Sequence, residues 1–186
     1  MRNPELNIFS EFNSAEFRII RKRIIQSILA TDMYFHNTNL NNLKAKISNA
    51  EISNGENISK IIDSTDPSAK FDNQQLILNN LIHVADISNP AKPSKAYKKW
   101  VDLVFVEFFY QGDCEKKEGL PVSLLCDRET TVVSKSQIGF IKFVVRPTFE
   151  TIKLIAPEIN PYIETISKNL KMYEDEVKRD EQKKLK

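Results

Sequence analysis

The chain has 186 residues, of which 41% are hydrophobic and 28% charged, and its formal net charge is +2. This balance is typical of a globular protein and argues against a disordered or a membrane-spanning chain. The near-neutral charge gives no broad basic surface for nucleic acid, so no nucleic-acid partner is expected. The length fits one domain over residues 1–186, or part of a larger one.

The N-terminal segment MRNPELNIFSEF lacks the apolar stretch of a signal peptide, and no apolar run approaches the length of a transmembrane helix. We therefore expect a cytoplasmic, intracellular protein without a transmembrane segment. Cys114 and Cys126 are too few for a disulfide framework and lack the spacing of zinc ligands, so we expect reduced thiols.

Helical periodicity dominates the first half of the chain. Only four glycines occur, and apolar residues recur at intervals of three and four, which predicts an all-α fold with several packed helices. A first helix, capped by Ser14, is expected to run to the segment ATDM. Its apolar stripe comprises Phe17, Ile20, Ile24 and Ile28. A weaker pattern continues at Leu40, Leu43 and Ile47, and residues 48–70 are predicted to form an exposed connection.

The next helix is predicted to begin at Asp72, with Gln75 three residues later as a capping signal, and to end before Pro90. Its buried face is expected to comprise Leu78, Leu81, Ile82 and Ala85.

Three further helices are predicted in the second half of the chain. Ser94 is expected to cap a helix that ends near Gly112 and carries a broad apolar stripe. That stripe comprises Tyr97, Trp100, Val101, Val104, Phe105 and Phe108. A core helix over residues 133–156 is expected to be kinked by Pro147, and Pro161 opens a terminal helix. The buried stripe of the terminal helix comprises Ile163, Ile166, Leu170 and Tyr173, and a charged tail follows it.

One carboxylate stands out in the segment HVADISNP. Asp86 is predicted in the last turn of its helix, where the helix dipole disfavours an unpaired negative charge. A bound cation would reverse this balance, although from this segment alone a salt bridge or a solvent-exposed carboxylate is the simpler interpretation. The two histidines, His36 and His83, are expected to be hydrogen-bonded structural residues, and Asn89 can cap the helix end.

The segment KSQIGFIKF places an amide, Gln137, and a ring, Phe140, three positions apart on one helical face. The amide can meet the polar edge of a purine while the ring covers its plane, and rotation of the amide suits adenine or guanine. An isolated pair of this kind would more simply be a glutamine bonded to backbone or solvent beside a core phenylalanine.

Five segments in order resemble one known family. The segments ILATDM, HVADISNPAKP, WVDLVFVEFFYQGD, LLCDRET and KSQIGFI are similar to the catalytic domain of class I 3′,5′-cyclic nucleotide phosphodiesterases, from about residue 7 to residue 157. The resemblance implies that the chain is the C-terminal part of the larger helical phosphodiesterase fold, with residues 158–186 as a C-terminal helix and charged tail.

In this family, a zinc and a magnesium (or manganese) ion activate a hydroxide that attacks the cyclic phosphate. By resemblance, Asp86 matches a metal-binding aspartate, Gln137 the purine-binding glutamine and Phe140 the ring that clamps the base. The other substrate-pocket positions match Asn89, Tyr97, Val104, Phe108, Met33 and Ile87. Residues expected only to support the structure are His83, Trp100, Cys126 and Asp127.

Some motifs of the family are missing from this sequence. The family's proton-donating histidine, its two metal-binding histidines and an earlier aspartate belong to motifs upstream of ILATDM that this sequence does not contain. We therefore assign no catalytic residue in this chain. Zinc usually takes about three or four protein ligands, so Asp86 alone is not expected to retain the metals, and the chain alone should show little or no catalysis.

The leading hypothesis is an enzyme that hydrolyses 3′,5′-cyclic nucleotides to 5′-monophosphates in signal transduction. The segment ADISNP is similar to that of family members that prefer cyclic AMP, and the resemblance implies that an upstream segment of the same domain would complete the site. One alternative is a nucleotide-binding or regulatory remnant without catalysis. Another is a structural helical interaction module, which could form a homo-oligomer through apolar surface.

Overall fold

The computed structural model describes residues 7–50 and 58–184, and these residues form helices and no β-strand. The prediction of an all-α fold is therefore confirmed. The α-helices in the described residues are α1 (Ser14–Leu29), α2 (His36–Asn49), α3 (Ser59–Ile62), α4 (Pro67–Asp86), α5 (Ser94–Lys117), α6 (Val133–Phe140), α7 (Arg146–Lys153) and α8 (Asn160–Lys184). Short 3₁₀ turns lie at Met33–Phe35, Asn89–Ala91 and Pro157–Ile159, and a π-turn lies at Ile141–Val145.

No helix within the described part of the chain combines the length and the apolar character needed to cross a bilayer. The described residues separate into two compact units, one with residues 7–50 and 58–85 and the other with residues 86–184. The expectation of one domain over residues 1–186 stays a prediction.

In the first unit, α1 begins as predicted but with a different cap. The Asn13 side chain accepts hydrogen bonds from the backbone N–H groups of Ala15 and Glu16, at 2.9 and 3.0 Å. The Glu16 carboxylate accepts a bond from the Asn13 N–H, which completes a capping box. Ser14 is therefore the first helical residue and not the cap. The α1 stripe is largely exposed, and no residue of this helix is buried.

Helix α2 confirms the weaker apolar pattern, because Leu40, Leu43 and Ile47 are all buried. The predicted connection at residues 48–70 is only partly correct. Its central residues lie outside the described part of the chain, α3 forms a short helix with a buried Ile61, and α4 already begins at Pro67.

Helix α4 begins five residues earlier than the predicted Asp72. Proline suits a first helical position because it lacks the N–H that would be unsatisfied there. The Asp66 carboxylate also accepts a bond from the N–H of Ser68, at 3.0 Å. The helix ends at Asp86, before Pro90, as predicted.

The predicted buried face of α4 is wrong. Leu78, Leu81 and Ile82 are 42%, 41% and 46% exposed, and Ala85 is also exposed. The buried residues of this helix are instead Gln75, Ile77, Asn80 and His83. The polar members of that set all make hydrogen bonds inside the first unit, which removes the cost of burying them.

In the second unit, α5 differs from its prediction at both ends. Ser94 does not cap the helix, because its hydroxyl donates to Asn169 in α8 instead, at 2.6 Å. The helix continues past Gly112 to Lys117. Gly112 packs against the backbone of Cys126, and a Cβ added there would lie 2.7 Å from the Cys126 carbonyl carbon. Only glycine permits this approach.

The predicted core helix at residues 133–156 is present as α6, the π-turn and α7. The π-turn ends immediately before Arg146 and Pro147, where the proline ring cannot donate the usual helical hydrogen bond. Helix α8 begins at Asn160, next to the predicted Pro161. The four residues of its predicted stripe are all buried, so this prediction is confirmed.

Candidate functional site

Gln137 and Tyr97 form a buried hydrogen-bonded pair in the second unit. Gln137 lies in α6 and is 8% exposed, and Tyr97 lies near the start of α5 and is 1% exposed. The Tyr97 hydroxyl donates to the Gln137 Oε1 atom at 2.6 Å. Within residues 7–50 and 58–184, the structure shows no further hydrogen-bond partner for the Gln137 Nε2 group. This pair explains how an amide is accommodated in an apolar segment.

The protonation state of Tyr97 fits its role as a donor. Burial raises the pKa of the Tyr97 hydroxyl far above its ordinary value, and the nearby Tyr173 raises it further. The hydroxyl therefore stays protonated well above neutral pH and is available as a donor. In the structure it donates to Oε1, so the Gln137 amide lies with its oxygen toward Tyr97.

Three of the apolar side chains predicted for the site lie on the same two helices. Phe140 follows Gln137 by one turn of α6 and is partly exposed. Val104 and Phe108 lie one turn apart on α5 and are also partly exposed. The Phe108 ring meets the buried Phe105 edge to face, with ring centroids 5.7 Å apart. These three side chains therefore retain surface on which a flat ligand could pack.

Asp86, Ile87 and Asn89 lie together at the end of α4 and in the turn that follows it. Asp86 is the last helical residue, as predicted, and its side chain is exposed to solvent. Ile87 is 7% exposed, and the Asn89 Oδ1 atom accepts a bond from the Lys92 ammonium at 3.0 Å. Met33 belongs to the first unit, where it is 47% exposed.

The described residues do not by themselves fit a two-metal centre. They contain no group of three or more histidine, cysteine, aspartate or glutamate side chains that could hold a metal ion. His36 and His83 are buried and hydrogen-bonded to each other, with their ring nitrogens 2.8 Å apart, as expected of structural histidines. A metal at Asp86 would therefore need further ligands from outside the described residues.

Two buried residues of α8 are connected to this region and were not predicted as site residues. Asn169 donates to the backbone carbonyls of Pro90 and Lys92, just after Asn89 in the chain. Tyr173 packs against the ring of Tyr97. Tyr173 could have been found only as a member of the apolar stripe, and nothing in the sequence pattern pointed to Asn169.

The chain is similar to known proteins in both sequence and structure. The sequence profile of the 3′5′-cyclic nucleotide phosphodiesterase family matches residues 1–166. The chain is 34% identical over 175 residues to isoform F of a 3′,5′-cyclic-AMP phosphodiesterase of Drosophila melanogaster, a match that covers 94% of this chain and 25% of that protein. It is 32% identical over 178 residues to the 3′,5′-cyclic-AMP phosphodiesterase 4C of Rattus norvegicus, covering 95% of this chain and 32% of that protein.

The structure is similar to the phosphodiesterase domain of the RhoPDE fusion protein from the choanoflagellate Salpingoeca rosetta. The TM-score is 0.81 at 27% identity, and the match covers 97% of this chain and 54% of that one. The chain thus spans about a quarter to a third of these two curated relatives and about half of the solved domain. Because the family profile matches most of its residues, the chain belongs to the 3′,5′-cyclic nucleotide phosphodiesterase family.

Proposed function

We propose that this chain is the purine-binding part of a phosphodiesterase that hydrolyses 3′,5′-cyclic nucleotides to 5′-monophosphates, with cyclic AMP as the favoured substrate. The observation that carries the proposal is the buried Gln137 amide, held by the Tyr97 hydroxyl at 2.6 Å. Family membership and the names of the two curated relatives support it. An intracellular location belongs to the same proposal.

The acceptor and donors that the Gln137 amide does not use within the described part of the chain match the hydrogen-bonding groups at the edge of a purine. The Gln137 Oε1 atom has two lone pairs, of which Tyr97 uses one, and the Nε2 group keeps donors for a ligand. Adenine presents an amino donor and ring-nitrogen acceptors, so it can bind both amide atoms at once. Phe140 would cover the plane of the base, and Val104 and Phe108 would supply further apolar contact.

Catalysis would need groups in addition to these, because the described residues contain no cluster of three or more metal-ligating side chains. In this proposal, zinc and magnesium (or manganese) would bind Asp86 together with ligands from another polypeptide segment, which would also supply the proton-donating histidine. The exposed position of Asp86 leaves its carboxylate accessible to such ligands. The chain alone would then bind a cyclic nucleotide without hydrolysing it.

Titration calorimetry with cyclic AMP tests the proposal. We expect saturable binding to the 186-residue chain. Gln137→Ala should weaken it at least about tenfold, because losing the amide removes hydrogen bonds of about 0.5–1.5 kcal/mol each. The matched control is Gln182→Ala, which removes an exposed amide from α8 and should leave affinity unchanged. Equal affinity of wild type and Gln137→Ala would contradict the proposed site.

An assay of 5′-monophosphate release tests the second part of the proposal. With zinc and magnesium added, the chain alone should show no turnover of cyclic AMP above the protein-free rate. Turnover that a chelator abolishes would show that this chain holds a complete metal centre, and the proposal of an external segment would then be wrong.

A second candidate function, a helical interaction module, is favoured by the exposed apolar side chains of the first unit. Leu78, Leu81 and Ile82 on α4 are each more than 40% exposed. On α1, Ile28 and Leu29 are each 63% exposed. Such surface marks a protein interaction site when it is contiguous. Its partner would be another phosphodiesterase segment or a second copy of this chain.

A further inference from the structure

Helix α8 extends beyond the residues that the family profile matches. The match ends at residue 166, whereas α8 continues to Lys184 and carries the buried residues Asn169 and Tyr173 beyond the matched range. Asn169 is 0% exposed and Tyr173 is 2% exposed. Burial this complete in a helix with a charged end indicates specific contacts with the rest of the second unit.

Tyr173 contacts Tyr97, the residue that forms a hydrogen bond with Gln137. The two tyrosine rings meet edge to face, with centroids 5.7 Å apart and planes at 87°. The hydroxyl of Tyr97 then donates to the Gln137 Oε1 atom at 2.6 Å. A continuous series of buried contacts therefore runs from α8 through α5 to α6.

Tyr173 is itself held in place. The Lys98 ammonium lies 5.7 Å from the centre of the Tyr173 ring and forms a 3.1 Å ion pair with Glu176, also on α8. One turn before Tyr173, the Asn169 amide donates to the carbonyls of Pro90 and Lys92, both at 2.8 Å. These contacts fix both the position of α8 and the plane of the ring that Tyr97 meets.

The direction of the Tyr97 hydroxyl depends on that plane. The hydroxyl is at the far end of a rigid ring, so a small rotation of the side chain moves it further than a hydrogen bond tolerates. Without the bond, the Gln137 amide could rotate and exchange its donor and acceptor. Edge-to-face ring contacts have a preferred geometry, which a flexible aliphatic side chain does not reproduce.

We propose that Tyr173 is a positioning residue for Gln137: its ring holds Tyr97 at the angle at which the Tyr97 hydroxyl fixes the base-recognition amide. The importance of this arrangement for nucleotide binding rests on the proposed function. The orientation of the amide itself does not, and it can be measured without a nucleotide.

The first experiment observes the side-chain amide of Gln137 in nitrogen–proton NMR spectra, with the resonances assigned by their absence in Gln137→Ala. Tyr97→Phe, which removes the hydroxyl, defines the shift of an amide without its partner. We expect Tyr173→Leu to move the resonances at least half as far as Tyr97→Phe does. Tyr173→Phe keeps the ring and should leave them at the wild-type position.

Loss of buried volume in α8 needs its own control. Ile166→Val removes a methylene from the same helix at a residue that is 0% exposed, and it should leave the Gln137 resonances in place. If Tyr173→Leu does not fold, Tyr173→Met replaces the ring with an unbranched side chain of similar reach, and the same shift is expected. A folded Tyr173→Leu or Tyr173→Met with wild-type amide resonances would overturn the proposal, as would an equal shift in Ile166→Val.

The second experiment measures cyclic AMP affinity in the same variants by calorimetry. We expect Tyr173→Leu to weaken binding about fivefold or more and both Tyr173→Phe and Ile166→Val to change it less than about twofold. If wild type does not bind cyclic AMP, the proposed function fails while the amide shifts still test the positioning role. If wild type binds and Tyr173→Leu binds equally well, the positioning role alone is wrong.

Discussion

His36 and His83 show how the environment of single residues decides their chemistry. Both rings are buried in the first unit, at 4% and 3% exposure, and the His36 Nδ1 and His83 Nε2 atoms are 2.8 Å apart. One ring must donate and the other accept, so at least one of the two rings is neutral. Burial lowers the pKa of His36 below its ordinary value of 6.5, and the neighbouring His83 and Lys44 lower it further.

This lowered pKa predicts a pH dependence of the free energy of unfolding. Below pH 6.5 the unfolded chain binds a proton at His36 that the folded chain does not, so stability should fall as the pH decreases below that value. The slope from this one proton cannot exceed about 1.4 kcal/mol per pH unit, and it should vanish above pH 6.5 and again below the lowered pKa. Urea unfolding from about pH 8 to about pH 5 measures it.

His36→Gln is the matched variant, because it keeps a polar side chain but cannot bind the proton. We expect a smaller slope in this variant below pH 6.5, where the unfolded chain binds a proton at His36 that the folded chain does not. The pKa values of three carboxyl groups are lowered, so the stability that these groups contribute is lost only at more acidic pH. The three are Asp113, Glu115 and Asp127. Identical slopes in wild type and His36→Gln would show that His36 does not carry the effect.

At the scale of single residues, local sequence spacing predicted which side chains share a helix better than it predicted which side chains are in contact. Local spacing places Gln137 and Phe140 on one helical face, and the structure confirms that both lie in α6. The partner of Gln137 is Tyr97, which is 40 positions away in the chain. Helical periodicity carries no information about contacts over such separations, so only the family resemblance connected the two residues.

At the scale of elements, α8 was predicted correctly and α4 was not. In α8 the apolar stripe is also the buried face. In α4 the more apolar face is exposed, and Gln75, Asn80 and His83 are buried instead. Periodicity identifies two faces of a helix, but which one is covered depends on the neighbouring elements. Polar residues can take the covered face when each finds a hydrogen-bond partner, as these three do.

Asn169 is expected to be the main polar attachment of α8 to the chain that follows α4. Its Nδ2 group donates to the Pro90 and Lys92 carbonyls, and its Oδ1 atom accepts from the Ser94 hydroxyl at 2.6 Å. Asn169→Ala should lower the free energy of unfolding by about 2–4 kcal/mol, because a buried carbonyl at Pro90 and a partly buried one at Lys92 lose their donor. Urea denaturation of the 186-residue chain measures the loss.

Ser94→Ala provides the graded control, because it removes one of these three bonds and leaves both carbonyls satisfied. Its expected cost is about 1 kcal/mol. If Asn169→Ala cost no more than Ser94→Ala, the two carbonyl contacts would contribute little, and the attachment of α8 would have to come from its apolar stripe.

At the scale of the whole molecule, the first unit carries more exposed apolar surface than its sequence pattern predicts. The chain spans about half of a solved phosphodiesterase domain with a similar fold. An all-helical core was predictable from periodicity because it depends on local pattern. The exposure of α1 and α4 was not, because it depends on which residues pack against those helices.

This surface predicts concentration-dependent self-association, which light scattering after size-exclusion chromatography measures. Burial of apolar area contributes about 25 cal/mol per Å², so several exposed isoleucines and leucines suffice for weak association. Combining Ile28→Glu on α1 with Ile82→Glu on α4 should reduce association, because each change places a charge on an exposed apolar position. Leu103→Glu adds the same charge at a 51% exposed position of α5, in the second unit, and should have little effect. A chain that stays monomeric at every accessible concentration would contradict a role for this surface in self-association.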